Sequence, residues 1–537
     1  MIRRALDSIV ETFLPHRALA RLQARVTIEQ IHAITGGDGS GYDAAARNRL
    51  TKFGAGGADT ENALPPEQIE RLAFFSWKLY RNVPHAGKIV RSLESKIVGA
   101  GNEPQSLATL GGKPADEFRE RAESLWRAIS GRIDVRGTPG KGGQSLEMIQ
   151  RSLIRNTVLS GEAFLKFVQP SDEQVEELDL PIPLQIQMIQ PRRLMNDVAG
   201  NDRVFRGVEF DENGRRVAYH LNDFSPTGVI RLAATTPVPV SEMLHLYLMT
   251  DVDQIRGTPW FHAILKKMDN VGDYEEYEMT AAKMAACVMM AIKKSSGQTE
   301  NWGAQPSAGQ DSLDSDGNQL SFLQPGAIVD VGVDGSIDAF DPQRPNQQAV
   351  EFLNHIGRSE AAGVPGMKAS TITQDFRGSS FASERSSDND IWPEILALQD
   401  WFNKSINQPL YDRIVQDGII AGWFEGAVTD KEFQQNKDQL LQAQWSVPVQ
   451  AAINPKDDVV AAVMRIAAGL STPQIEAAKL GRNWDDILAA LKTFIDRATD
   501  EYDIPPALID SFLGIQNNGI SVENQTAAIK AAAASAA

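Results

Sequence analysis

Cysteine is nearly absent from this sequence: Cys287 is the one thiol in 537 residues. It closes no intrachain disulfide, so the fold must stand on packing, as in proteins of a reducing compartment. Set in Met284-Ala285-Ala286-Cys287-Val288-Met289, it reads as a small buried hydrophobe. No run of about 18 apolar residues occurs, which argues against a membrane-spanning helix. The seven histidines (His16, His32, His85, His220, His245, His262 and His355) are scattered. No two have metal-ligand spacing, and no cysteines complete a zinc site. The glycine-rich stretches 36–41 and 137–143 lack the Lys-Ser/Thr of a nucleotide loop, and Gly-x-Ser-x-Gly is missing. Asp314, Asp316 and Gly317 resemble part of a calcium loop, but Ser312 and Leu323 stand where it needs acids. Catalysis and cofactor binding are therefore not expected, and no metal is assigned.

Positive charge is also short. Fifty-three Lys and Arg face seventy Asp and Glu, a net charge of −17. A protein that grips DNA usually carries a basic stripe, because phosphate neutralisation and counterion release supply most non-specific affinity. Acidity is awkward for a repressor or nuclease and compatible with a conduit, whose wall must let DNA slide.

What is present is an ordinary globular composition, 42% apolar and 23% charged, in a chain too long for one hydrophobic core. Ile2, Leu6, Ile9, Val10, Phe13 and Leu14 form one face of an N-terminal amphipathic helix surrounded by arginines. Asp7 and Glu11 interrupt its basic side, and no export signal is read there. Helical spacing covers 64–98 and 116–130, and a helical run from Met148 ends near Gly161. β character follows over Ala163–Val168, Leu184–Met188 and His245–Leu248. Val208–Phe210 and Val217–Leu221 flank an Asp211-Glu212-Asn213-Gly214 hairpin turn. Fold class is therefore α+β, with helices followed by antiparallel strands.

Farther along, the pattern predicts a long helix over 258–292 with Pro259 near its first turn. A polar loop over 295–318 comes next, then Leu320–Leu323 and Ala327–Val331 as strands around Gln324-Pro325-Gly326. A second helix over 346–362 stops at Gly363-Val364-Pro365, and a Ser-, Gly- and aromatic-rich loop runs 375–385. A heavily apolar helix covers 391–423, with bends expected at Pro393 and Pro409. Short helices continue to Tyr502, before an Ala-rich end.

The order of Gln254–Pro259, the Gly363-Val364-Pro365 turn with its downstream loop, Gly469-Leu470-Ser471-Thr472 and Gly481-Arg482-Asn483-Trp484-Asp485 closely resembles the portal proteins of tailed bacteriophages, lambda family. The resemblance implies an elongated subunit of a ring of about twelve, the DNA channel at one capsid vertex. It implies an N-terminal arm and strand-rich wing (1–257), first stem helix (258–292), small α/β clip (293–343) and second stem helix (344–364). A tunnel loop (365–384), a long helical wing segment (385–430) and a crown-like C-terminal region (431–537) follow. Lys368, Arg377, Ser379, Ser380 and Phe381 would line the channel, and Val350, Leu353 and Ile356 would face a neighbouring subunit. Implied partners are other copies of the chain, non-specific double-stranded DNA, the terminase large subunit, head-completion and neck proteins, scaffold and major capsid protein. No cofactor or membrane is implied, and the location is the virion, with assembly in the host cytoplasm. Against this stand two other readings: a metal-dependent phage nuclease or terminase-like enzyme, and another capsid structural or adaptor protein.

Overall fold

The computed structural model describes residues 66–195, 198, 201–222, 236–286, 290–292, 312–313, 319–320, 328–330, 349–377, 380–450, 455–479 and 484–500. The expected N-terminal helix, Cys287, the calcium-like residues Asp314, Asp316 and Gly317, Ser379 and the Ala-rich end lie outside them. Contacts divide the chain into two compact units, Pro66–Met249 with Ile255–Ala537, and Met1–Pro65 with Thr250–Gln254. In the described part of the smaller unit, the Thr250 amide donates to Gln254 Oε1 at 2.7 Å.

The larger unit opens with helices α1 (Pro66–Asn82) and α2 (Pro84–Ile97), separated where Pro84 has no N–H to continue the first. Helix α3 (Asp116–Ser130) matches its expected bounds, with Asp116 and Glu117 favourably placed against the helix dipole. Helix α4 (Leu146–Ser160) ends at Gly161, whose φ of 90° makes a left-handed cap. Strands β1 (Glu103–Ser106), β2 (Thr109–Leu110) and β3 (Lys113–Pro114) lie between α2 and α3.

Strand β4 (Glu162–Val168), followed by the short helix α5 (Asp172–Glu177), pairs antiparallel with β5 (Gln185–Ile189) on one side and with the later Met243–Tyr247 strand on the other. A second sheet runs β6 (Val204–Phe205), β7 (Val208–Phe210), β8 (Arg216–Leu221), β9 (Thr236–Pro239), each antiparallel to the next. The expected hairpin is present. Asp211 Oδ1 accepts from the amides of Asn213 at 2.8 Å and Arg215 at 2.7 Å, and Gly214 supplies the positive φ. Strand β10 is Met243–Tyr247.

Several expectations need correction. The helix read over 258–292 is α6, Leu265–Ala286. Before it, Trp260, Phe261 and Ile264 are all buried and the Trp260 amide donates to Val158 O at 3.0 Å, so 258–264 winds as turns against α4 instead of continuing a helix. After it, β11 (Met290–Ile292) pairs parallel with β14 (Ile328–Asp330). β12 (Ser312–Leu313), inside the stretch read as loop, pairs antiparallel with β13 (Gln319–Leu320). The two strands expected to pair across Gln324-Pro325-Gly326 thus find other partners among the described residues.

Helix α7 (Ala349–Ala361) is followed by the short α8 (Ala369–Thr373) and then α9 (Phe381–Phe402), which starts ten residues earlier than the pattern placed it. The cause is local: Ser380 caps the Ser383 amide while the Ser383 hydroxyl accepts from the Ser380 amide. Phe381, Ser383 and Glu384 are therefore helical, not loop. Pro393 sits inside α9. A π turn over Asn403–Asn407 precedes α10 (Gln408–Ile420), where Pro409 occupies the first turn. The wider turn absorbs the hydrogen bond that Pro409 cannot make. After α11 (Asp430–Gln435) and α12 (Lys437–Leu440), β15 (Ala443–Ser446) returns to pair antiparallel with β1. Helices α13 (Pro455–Ala467), α14 (Pro473–Lys479) and α15 (Trp484–Asp500) follow.

Among the described residues two apolar clusters result, in line with the chain's length. The larger draws Ile89, Leu93, Trp126, Ile154, Phe261, Phe402, Tyr411 and Leu440 together, and the smaller joins the sheets through Phe164, Val208, Tyr219 and Met243. A polar seam crosses the larger core. Asn102 Nδ2 donates to Asn403 Oδ1 at 2.9 Å, Gln150 Nε2 to Asn407 Oδ1 at 3.0 Å and to Asn102 O at 3.1 Å, and Asn407 Nδ2 to Asn403 Oδ1 at 2.6 Å.

Candidate functional site

The Arg256-Gly257-Thr258-Pro259-Trp260 motif is where the second half of the unit is fastened to the first. Gly161 and Gly257 touch backbone to backbone: a Cβ on Gly257 would lie 2.1 Å from Gly161 O, and one on Gly161 would lie 2.6 Å from Gly257 O. No side chain fits at either position. Beside this contact Glu162, almost fully buried, takes Arg256 Nε at 2.7 Å and 2.8 Å on its two oxygens and bonds Arg256 Nη2 as well. Gly257 N adds a bond at 3.2 Å, and Arg256 Nη1 reaches Arg206 O at 2.8 Å. His245 Nε2 lies 3.0 Å from Glu162 Oε2, while Arg216 Nη1 lies 3.1 Å from His245 Nδ1 and Arg216 Nη2 donates to Tyr247 OH at 2.5 Å.

The protonation of this cluster follows from its surroundings. Burial alone would raise the Glu162 carboxyl, but the Arg256 guanidinium and the His245 hydrogen bond reverse the sign and bring it down to about 2. Burial, reinforced by the Arg216 and Arg256 charges, pushes His245 down to about 4 against the pull of Glu162. At neutral pH the imidazole is therefore neutral. Its Nε2–H donates to Glu162, its Nδ1 accepts from Arg216, and the counter-charge of Glu162 is Arg256. Sequence patterning did not single out Glu162 or His245. The available signal was an arginine next to an obligatory glycine.

The second cluster surrounds the turn after α7. Glu360, fully buried, has His85 Nδ1 of α2 at 3.2 Å, and its carboxylate holds the imidazole above its usual value. Gly366 is clamped at both backbone groups: its amide donates to Glu394 Oε2 at 2.7 Å and its carbonyl accepts from Lys96 Nζ at 3.0 Å. A Cβ there would lie 2.3 Å from Ile395 Cδ1, and φ is 68°.

Each residue expected to line a channel can now be placed. Lys368 Nζ lies 2.9 Å from Glu384 and 2.7 Å from Asp388, one turn apart on α9, with only 16% of its side chain exposed. Burial alone would lower this ammonium, and Asp388 and Glu384 outweigh it to leave the group raised. Arg377 is 79% exposed and forks onto Asp375 with Nε and Nη2, each at 2.9 Å. Hydrogen bonding to Arg377 holds the Asp375 carboxyl well below the usual range. Ser380 is the cap of α9, and Phe381 is its first residue. The two cations thus reach the same segment already matched by carboxylates, Lys368 largely enclosed and Arg377 open.

Of the residues expected to face a neighbour, Val350 is half exposed, and Leu353 and Ile356 are partly covered. Phe352, beside them, is 51% exposed although its ring meets Tyr274 of α6 at 5.5 Å. From Gly272 to Lys283, α6 has no buried residue, and Tyr277 and Met279 stand exposed. Among the described residues no group of three or more His, Cys, Asp or Glu is placed to hold a metal ion, and no helix is long and apolar enough to cross a membrane.

Comparison with known proteins bears on this arrangement. The family described as phage portal protein, lambda family, matches residues 47–399. Portal protein B of Escherichia phage lambda is 20% identical over 450 residues, 76% of this chain and 80% of that protein. The portal protein of Escherichia phage N15 is 21% identical over 446 residues, 76% of this chain and 81% of its own. Among solved structures, a chain from the neck of a native gene transfer agent particle computed with C12 symmetry aligns at 14% identity over 78% of this chain and 94% of its own, TM-score 0.40. One from the virion of the native gene transfer agent aligns over the same shares at TM-score 0.39. With a family match across more than half its length, this chain belongs to the lambda family of phage portal proteins.

Proposed function

We propose that this portal protein forms a ring of about twelve copies at one capsid vertex and that double-stranded DNA passes non-specifically through its centre. It is a structural component rather than an enzyme, as its family and relatives indicate. In this reading a separate terminase large subunit drives packaging. Head-completion and neck proteins, scaffold and major capsid protein dock on the ring, which assembles in the host cytoplasm. Helix α6 and helix α7 are the stem, residues 365–380 the tunnel loop, 293–343 the clip, 1–257 the arm and wing, and 431–537 the crown-like region. Lys368, Arg377, Ser379, Ser380 and Phe381 stay assigned to the channel wall, with Arg377 the exposed cation.

The observation that supports this reading is the apolar side chains left open on α6 and α7. Tyr277, Met279, Val350 and Phe352 are exposed on a single chain, and a ring of heterologous contacts closed by rotation would cover such a face repeatedly. Negative-stain images of the purified protein test it directly. Rings with a central hole are the expected outcome, and monomers or holeless dimers at micromolar concentration would reject it.

A further inference from the structure

Charge is distributed unevenly in this acidic chain. From Arg71 through Leu93 there is no Asp or Glu, while Arg71, Lys78, Arg81, Lys88 and Arg91 all fall in that stretch. It corresponds to α1 from its second turn onward and most of α2. Arg71, Lys78, Arg81 and Arg91 are exposed and Lys88 is half-buried. None of the five has an ion-pair partner among the described residues. Glu94 holds Arg155 at 2.7 Å and Glu360 holds His85, while Glu275 of α6 acts on the same imidazole. Glu67 and Glu70 sit at the N-terminal end of α1.

On α1, Arg71, Phe74, Phe75, Lys78 and Arg81 follow the three- and four-residue spacing of one helix face. The exposed stripe from Arg71 to Arg81 is about 15 Å long. Phe74 is 66% and Phe75 40% exposed, and Arg81 lies 5.7 Å from the Trp77 ring. On α2, Lys88 lies close enough to Lys96 to depress its ammonium, after burial and together with Lys368.

We propose that the Arg71–Arg91 face is a binding surface for the phosphate backbone of nucleic acid. It rests on the portal reading and gives that reading its contact residues: the unmatched cations are on α1 and α2, whereas those of the 365–380 segment are matched by their own carboxylates. Uncompensated cations spaced along a helix suit a row of phosphates, each neutralised contact releasing a counterion. The exposed Phe74 and Phe75 rings between them offer apolar contact to the sugars. Such a face would hold DNA weakly and reversibly, because the remaining chain is acidic.

The test uses the full-length protein, a 30-base-pair duplex and a polyglutamate of equal charge, with binding followed by fluorescence anisotropy from 50 to 300 mM salt. The parent should bind the duplex with affinity falling steeply with salt. Lys78→Gln/Lys88→Gln/Arg91→Gln should weaken binding at 50 mM salt by roughly tenfold or more and reduce the slope of log K against log salt by about 2.7, three contacts' worth. Lys78→Glu alone, on an exposed position, should weaken it in the same direction and guards against a folding defect in the triple variant. Absence of duplex binding by the parent, unchanged binding by both variants, or equal competition by polyglutamate would overturn the inference, the last by pointing to an acidic protein partner. Negative-stain images of the same samples separate the two ideas: rings that fail to bind duplex sink this proposal alone.

Discussion

Two arginine–carboxylate pairs in this molecule have similar geometry and opposite surroundings. Arg256 meets Glu162 where both are nearly inaccessible, and Arg377 meets Asp375 with its guanidinium 79% exposed. The buried pair has further bonds to Gly257 N, Arg206 O and His245, so it fixes where strand β4, strand β10 and the motif before α6 meet. The more open pair has Asn354 Nδ2 at 3.3 Å from the Asp375 carboxylate, and the Asp375 amide donates to Thr373 Oγ1 at 3.3 Å. Water already solvates the Arg377 guanidinium, so pairing gains little. Desolvated charges cannot tolerate loss of a partner.

The sharpest way to break the comparison is Glu162→Gln, which leaves Arg256 buried without its counter-charge. A loss of about 3–5 kcal/mol is expected in denaturant unfolding, and a loss below 1 kcal/mol would mean the cluster is solvated. Next in size is acid sensitivity. Both Glu162 and His245 have folded values below their unfolded ones, so the unfolded chain binds more protons and stability falls as pH falls. The decline should begin as pH drops below about 6.5, continue through 4 as His245 is forced to protonate, and deepen toward 2 with Glu162. In His245→Gln the part between pH 6.5 and 4 should shrink, as read from melting temperature against pH.

Lys368→Gln is intermediate. It leaves Glu384 and Asp388 facing each other one turn apart with less compensation, and a loss of about 1 kcal/mol is expected, visible as a small fall in melting temperature that added salt partly restores. Smallest is Arg377→Ala, expected to change stability by less than about 0.5 kcal/mol. If Arg377 contacts passing DNA, retention of genome in packaged heads should change while melting does not. A large stability loss from Arg377→Ala would end the contrast drawn here.

Much of the architecture was readable because its causes are local. Asp116–Ser130 and the stop at Gly161 follow from apolar spacing and a left-handed cap, and the Asp211–Gly214 hairpin from turn chemistry. The family assignment rested on short motifs whose order survives. What escaped was set by distant partners. Trp260, Phe261 and Ile264 look like the start of a helix until their burial beside α4 is known, and Met290–Ile292 looks helical until Ile328–Asp330 lies beside it. β15 within a helical region answers to β1, more than three hundred residues earlier. The start of α9 was missed because its cap is Ser-x-x-Ser, without the Glu or Gln that usually marks such a box. Of the residues expected at the channel, the sequence identified cations but could not reveal that Glu384, Asp388 and Asp375 stand against them.

The amide seam of Asn102, Gln150, Asn403 and Asn407 has a consequence in time. Asn102 waits for a partner 301 positions later, and Gln150 for one 257 positions later. At about 5–20 residues per second, that is roughly 15 to 60 s of synthesis between the two halves of one hydrogen bond. Throughout that interval the apolar sides of α2, α3 and α4 await Phe402, Tyr411 and Leu440. The nascent subunit therefore keeps these apolar sides uncovered until the ribosome has passed the π turn, and only then can close its interior.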